Sequence, residues 1–465
     1  MNEPQALIIG GGISGLSTAW HLAQQGINVE VWEADVRPGG KIRSTHDAGY
    51  LTERAAGMVV NFRPEIDRLI TALGMDEDKT SRNDALNRYL VHKGQLAAVP
   101  MKLPVMARSP LWSRRAKLRL LAEILIPQGG KENETVSEFI ERRLGSEILE
   151  TAMEPFVAGT LASDPDLAEA RSVLPRLTAL EKRYGSLTLG MMINGVFKRR
   201  RANNAESFSF QGGLSDLVDS LSNSAGVNIR YGMKVDDIGR TTDGWQVTAG
   251  SQKRHTPQLI LSTPAYTTAT LLQDTDKQLA KLLSGIDYSP IGVLHFGLQE
   301  KKIAHPLDGT GFLVPRREPF SFNGNLWMSR LFPGRAPTGH HLLTSYLGGH
   351  RHRNQLEWSN ERIISETLSS LAPLLGIRGE PDYVRLERHE QGLPMYHGDY
   401  QARVTEIRSR LAVAAPGLHL CANYLDGVSI RERIFQGLKT AYQVHSVVKK
   451  SGIVRIDAGE VLHYA

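Results

Sequence analysis

Ala6 to Ile9 is a short apolar run of strand length, broken at Gly10 by a glycine-rich turn. From Ile13 apolar positions return at helical spacing as far as Gly26, a glycine placed where helices commonly end. A second apolar run, Asn28 to Trp32, stops at Glu33. The pattern predicts strand, glycine turn, helix, strand. Farther on, phenylalanines alternate at 208 and 210, Gly212-Gly213 reads as a turn, and Leu214, Leu217, Val218 and Leu221 repeat at helical spacing. "VNIRYGMKVDDI", "GWQVTAG" and "QLILSTPA" (258–265) read as strands. Residues 418–448 predict a strand, a loop at Asp426-Gly427-Val428, and a helix with apolar Ile434, Leu438, Ala441 and Val444. "MARSPLWSRRAKLRLLAEILIPQ" (106–128) reads as a helix in which Trp112, Leu118, Leu121 and Leu125 stand among Arg114, Arg115, Lys117 and Arg119. Such a helix either lies in a bilayer interface or packs its apolar stripe on a core and leaves a solvated basic face.

The first turn carries chemistry. Gly10, Gly12 and Gly15 complete GxGxxG around Ile13 and Ser14, so backbone N–H groups and a helix N-terminus can approach a pyrophosphate. Glu33, with Ala34 beside it, ends the next strand where a carboxylate accepts hydrogen bonds from ribose hydroxyls and repels a 2′-phosphate. The bland reading is a tight turn with a surface glutamate. A second glycine pair follows, Gly39-Gly40 with Lys41 and Arg43, and it brings further backbone and charge to the same pyrophosphate. A nicotinamide site has no need of that second clamp, so the arrangement favours FAD, and since Cys421 reads as a buried thiol in an apolar strand and no nucleophile triad is found, the FAD is expected to be noncovalent. It resembles the large class of FAD oxidoreductases.

The chain has 465 residues, enough for two or three domains at roughly 150 residues each. Its net charge of +6 suits an anionic substrate or a membrane surface, while no basic motif points to nucleic acid. The single cysteine, Cys421, excludes an intramolecular disulfide and any multi-cysteine metal site. A reducing cytoplasm is the expected setting, no signal peptide is expected ahead of so early a strand, and no apolar run approaches the ~20 residues of a membrane span. "FKRRR" (197–201) reads as a solvated loop. His340-His341 and "HRHR" (350–353) read as solvated loop histidines and no metal is expected, because no acidic or cysteine partner stands at suitable spacing.

"EPFVAGTLASDPDLAEARSVLPRLTALEKRYGSL" (154–187), "LNRYLVHKGQLAAVP" (86–100), "GFLVPRRE" (311–318) and "GLPMYHGDY" (392–400), collinear over nearly the whole chain, resemble the oxygen-dependent, FAD-containing protoporphyrinogen oxidase family. The resemblance implies an α/β fold of flavin amine oxidase type. Its discontinuous Rossmann-like FAD domain would use residues 1–80, 206–265 and 405–450, with a mixed-sheet substrate domain (81–100 and 266–404), a helical membrane-facing domain (101–205) and a C-terminal tail (451–465). It implies six-electron oxidation of protoporphyrinogen, with O2 reduced to hydrogen peroxide. The partners it implies are a tetrapyrrole and O2, with peripheral membrane contact and a homodimer as further expectations.

By the same resemblance Arg88 pairs with a propionate, for which its planar fork is suited, although a lone strand arginine is ordinarily a surface ion pair. Gly159 lets backbone approach the substrate beside the flavin. Phe312, Leu313 and Val314 wall the tetrapyrrole, and Met328 and Tyr346 face the same pocket. Val235 lies near the adenine, and Gly57, Met58, Gly427, Val428, Ser429 and Ile430 surround the flavin. The chain departs from the family at Arg54-Ala55-Ala56, where Gly-Pro is usual, at Ala422, where glycine is usual, and at Ser429 to Ile434. Those departures leave open coproporphyrinogen III as substrate, or an amine oxidase or desaturase activity. A non-catalytic escort protein on the same fold has no need of both glycine loops and Glu33.

Overall fold

The computed structural model describes residues 3–82, 86–100, 103–198 and 206–450. Chain segments far apart in sequence build one five-stranded parallel sheet, in the order Val227–Arg230, Val29–Trp32, Ala6–Ile9, Gln258–Leu261, Leu418–Leu420. Its three central strands are short and buried at every position because both faces are covered. On one face the helices Ile13–Gln24, Ser215–Ser222 and Ile430–Lys450 bury Leu16, Leu217 and Ile434 against Ile8 and Val31. On the other, Trp245 and Val247 pack with Leu7 and Leu259. The expected tail, 451–465, lies outside the described residues, as does most of "FKRRR".

A seven-stranded sheet runs Tyr383–Pro394, Tyr288–Gln299, His340–Gly348, Gly324–Trp327, Gly309–Leu313, Asn87–His92, Gln95–Ala98. It is antiparallel except where Gly309–Leu313 meets Asn87–His92. Alternation along each strand divides its residues between two faces. Phe296, Phe312, Trp327, Leu343 and Leu347 point to one face, where the helix Asn360–Leu375 covers them with Ile363 and Leu371. The other face looks toward the glycine-loop half. His295 contacts the Glu53 carbonyl at 3.0 Å, His389 the Arg54 carbonyl at 2.9 Å, and Gly297 lies against the Tyr50 ring.

Helices between 103 and 198 form a third mass, and here the single helix expected over 106–128 is corrected. It is broken into Leu103–Arg108, Arg114–Leu121 and a 3-10 turn Ala122–Leu125. Pro110 interrupts the run, and Ser113 restarts it by accepting the Ala116 N–H at 3.1 Å. Trp112 is thereby separated from the leucines: it is buried and donates to Thr151 at 2.8 Å. Leu118, Leu121 and Leu125 are 66%, 66% and 81% exposed, so this stripe does not face the protein core. Among the described residues no helix is long and apolar enough to cross a membrane.

Candidate active site

The glycine loop separates a residue the packing requires from one it leaves open. A Cβ on Gly15 would sit 2.0 Å from the Gly10 carbonyl oxygen, so Gly15 is required for the helix to pack on the strand. Gly12 differs. A Cβ there meets nothing within 4 Å, its φ of −73° is ordinary, and it heads the helix Ile13–Gln24 with no side-chain cap. The first N–H groups of that helix, at Ile13, Ser14 and Gly15, therefore open onto a cradle. Glu33 braces the loop, its carboxylate accepting the Gly11 N–H at 2.6 Å and the Asp35 N–H at 2.8 Å.

Gly39 and Gly40 complete this cradle. Gly39 donates its N–H to the Gly11 carbonyl at 2.7 Å, Gly12 and Gly39 form a bridge, and both Gly39 and Gly40 have positive φ. Arg37, which donates to the Pro38 and Gly40 carbonyls, ties the second loop into shape. The expectation that Lys41 adds charge at the loop is corrected. Its ammonium donates to the carbonyls of Gln391, at 2.6 Å, and Gly392, because a mostly buried ammonium must find acceptors. Burial lowers it to about 8. Arg43 and Ala34 are exposed. Val235 follows Met233, whose N–H donates to the Glu33 carbonyl at 2.8 Å, so it stands beside the acidic end of the cradle.

A second helix N-terminus joins the first. Ser17 donates to the Ile434 carbonyl at 3.2 Å, and Gly437 fits against Ser17, each contact within two turns of a helix start. Gly427 (φ +108°), Val428, Ser429 and Ile430 thus enter the region above the glycine loops. The departures near 431–433 form a brace. Arg433, 3% exposed, donates to the Ala422 and Leu425 carbonyls, Arg431 to the Val60 carbonyl, and Glu432 pairs with Arg63 at 2.9 Å.

On the sheet face turned this way, register lines up Leu90, Leu313, Gly324 and Tyr346 across four strands. Arg88 stands two residues along the strand from Leu90, hence on the same face, with its side chain exposed. Gly159, on the helix Glu154–Leu161, packs onto this row: a Cβ there would lie 2.5 Å from Leu313 Cδ2. At the other end Gly57 meets the Met328 thioether and the Tyr346 hydroxyl, and Met58 packs nearby. Gly159, Leu313, Tyr346, Met328 and Gly57 pack along one row with Arg88 on the same sheet face, and the six come from six separated stretches. Phe312 and Val314 are corrected. Consecutive strand residues alternate, so both turn to the opposite face and are 2% and 0% exposed in the core beneath Asn360–Leu375.

Sequence reasoning missed the hub between these halves. Glu53, 3% exposed, accepts from Arg335 at 3.2 Å, the Leu214 N–H at 2.9 Å and the Ser44 hydroxyl at 2.8 Å. Burial pushes its carboxyl up, and these three donors pull it back. Arg335, in a loop, carries no sequence pattern that marks it. No group of three or more His, Cys, Asp or Glu arranged to hold a metal occurs among the described residues.

Residues 13–445 match the family model "Flavin containing amine oxidoreductase". The chain is 29% identical over 478 residues to Protoporphyrinogen oxidase 2, chloroplastic/mitochondrial, of Arabidopsis thaliana, covering 95% of this chain and 94% of that one. It is 26% identical over 455 residues to Coproporphyrinogen III oxidase of Bacillus subtilis strain 168, covering 94% and 96%. A crystal structure of a protein from Exiguobacterium sp. 255-15 shares the fold with a TM-score of 0.82 at 23% identity, covering 96% of this chain and 100% of that one.

Proposed function

The chain belongs to the family of flavin-containing amine oxidoreductases, and from that premise we propose that it oxidises protoporphyrinogen IX to protoporphyrin IX, with noncovalent FAD and with O2 as final acceptor. One observation carries the reading. Leu313 and Tyr346, with Gly57, Met328 and Gly159 packed against them, form an apolar patch on the sheet face that turns toward the glycine-loop half. Full-length similarity to porphyrinogen oxidases supports a tetrapyrrole at that patch.

The residues present fit FAD: the cradle at Gly12 is open, Glu33 offers ribose hydroxyls a carboxylate, and the helix starting at Ile430 adds a second N-terminus. Bound there, the flavin supplies a two-electron acceptor for each dehydrogenation. Gly12, Ile13, Ser14, Gly15, Gly39, Gly40 and Arg43 would hold the pyrophosphate, Val235 and Ala34 the adenosine end, and Gly57, Met58 and Gly427 to Ile430 the ring. Arg88 donates to a propionate, and the apolar patch excludes water and orients a meso carbon. Three rounds remove six electrons and six protons from the tetrapyrrole and reduce three O2 to three hydrogen peroxide.

The exposed Leu118, Leu121 and Leu125 with Arg114 and Arg115 form a surface suited to an anionic membrane, where a greasy substrate resides. Coproporphyrinogen III, with four carboxylates instead of two, is the second reading, favoured by the Bacillus subtilis relative. Anaerobic mixing of the flavin-loaded protein with each porphyrinogen decides. Rapid loss of flavin absorbance with protoporphyrinogen IX alone is expected, loss with coproporphyrinogen III alone selects the second reading, and loss with neither overturns both.

A further inference from the structure

Glu154 is the first residue of the helix Glu154–Leu161 that carries Gly159, and its carboxylate is buried, at 5% exposure. Oε2 accepts the Arg316 N–H at 2.8 Å, and Oε1 accepts from Arg351 Nη2 with Arg316 Nε 3.7 Å away. These partners lie 162 and 197 residues farther along the chain. Arg351 belongs to "HRHR", read from sequence as a solvated loop, yet its side chain is only 10% exposed.

The other contacts of the two arginines give this cluster its direction. Arg351 donates Nη1 to the Val314 carbonyl at 2.8 Å, and Arg316 follows two residues later. Both arginines therefore fasten the Glu154 carboxylate to the chain leaving the strand Gly309–Leu313, beside Leu313 itself. Roughly one and a half turns along the helix from Glu154, Gly159 meets that same leucine. A Cβ on Gly159 would stand 2.5 Å from Leu313 Cδ2 and 3.4 Å from the Asn323 carbonyl oxygen, so the fit leaves no slack for the helix to slide. At the far end the Ala162 carbonyl accepts the His350 N–H at 2.9 Å, and Asp164 pairs with Arg316 at 2.8 Å. The Asp164 pair uses a half-exposed guanidinium, whereas Glu154 and Arg351 are both buried, and buried pairs are screened far less.

We propose that Glu154 is a positioning residue for substrate binding: through Arg351 and Arg316 it fixes the register of the Gly159 helix against Leu313 and so sets the shape of the apolar patch, a role that rests on reading that patch as the porphyrinogen site. Glu154 does not itself touch the substrate. Glu154→Gln keeps the size of the side chain, but it removes the charge and puts an NH2 where two donors converge. The helix then has to shift against Leu313 to relieve the mismatch.

The test is steady-state oxidation of protoporphyrinogen IX and of coproporphyrinogen III by the flavin-loaded parent, Glu154→Gln, Leu313→Ala and the double variant. Glu154→Gln should raise KM roughly tenfold or more, with kcat within about threefold of the parent and the flavin spectrum retained. Leu313→Ala removes the surface on which Gly159 is registered, so adding Glu154→Gln to it should raise KM by less than about threefold further; a merely structural role would act equally in both backgrounds. Glu154→Asp keeps the charge but draws the helix end in by about 1.5 Å, one bond length. It should raise KM less, show the same loss of effect beside Leu313→Ala, and serve if Glu154→Gln does not fold. A parent that oxidises neither porphyrinogen overturns the reading of the patch and this inference with it. A parent that turns over, with KM unchanged in the folded variant or raised equally in both backgrounds, overturns this inference alone.

Discussion

The Glu53–Arg335 pair gives the sharpest test of how the two halves are joined. Both side chains are almost fully buried, at 3% and 0% exposure, and their atoms lie 3.2 Å apart. At an effective dielectric of about 20 the attraction is roughly 5 kcal/mol. Arg335→Met removes it and leaves Glu53 as an uncompensated buried carboxylate, for which a loss of about 3–5 kcal/mol is expected. Arg335 also donates to Ser209 at 2.5 Å, so the variant loosens the strand Glu206–Phe210 as well. In the variant, burial acts on Glu53 without Arg335, raising its folded-state pKa further above the unfolded value. A raised carboxyl contributes stability below the unfolded pKa and loses it as pH rises through the folded pKa. The gap between variant and parent should therefore widen between pH 5 and 8, by up to about 1.4 kcal/mol per pH unit. Urea unfolding followed by tryptophan fluorescence at both pH values measures this, and adding Glu53→Gln should recover at least half the loss. A loss below about 1 kcal/mol, or one that does not change with pH, would refute the reasoning.

Gly12→Ala should leave stability within ~0.5 kcal/mol, because its Cβ meets open space, yet weaken flavin retention at least tenfold. Gly15→Ala should instead cost about 1–3 kcal/mol in unfolding free energy, its Cβ colliding with Gly10. Arg88→Ala, losing a charged hydrogen bond of about 1.5–3 kcal/mol, should raise the porphyrinogen KM roughly 10- to 150-fold while the flavin spectrum stays unchanged. Leu118→Asn with Leu121→Asn should cut cosedimentation with anionic vesicles at least tenfold, given about 1.5–3 kcal/mol for each leucine buried in lipid, with activity on detergent-dispersed substrate retained.

Much of the cradle was legible because its requirements are local. Gly10, Gly12, Gly15 and Glu33 lie within one strand–turn–helix–strand unit, where spacing alone places them. The proposed wall was legible only through family resemblance, and then imperfectly: Leu313 lies on the sheet face beneath Gly159, whereas Phe312 and Val314 turn to the opposite face. The break at Pro110 was readable from the residue itself, yet the apolar rhythm on either side hid it.

By itself the sequence determined the elements whose causes are short-range: the parallel strands as apolar runs, the glycine turns, the closing helix from Ile430 and the dinucleotide chemistry they imply. Only the tertiary structure decided which sheet face looks at that chemistry, that Arg335 reaches Glu53 across 282 residues, and that Arg351 of a histidine–arginine loop reaches Glu154. The physical reason is range. Backbone preference and hydrophobic periodicity act over a few residues, whereas the partner of a buried charge is set by packing, which brings together positions that no local pattern relates.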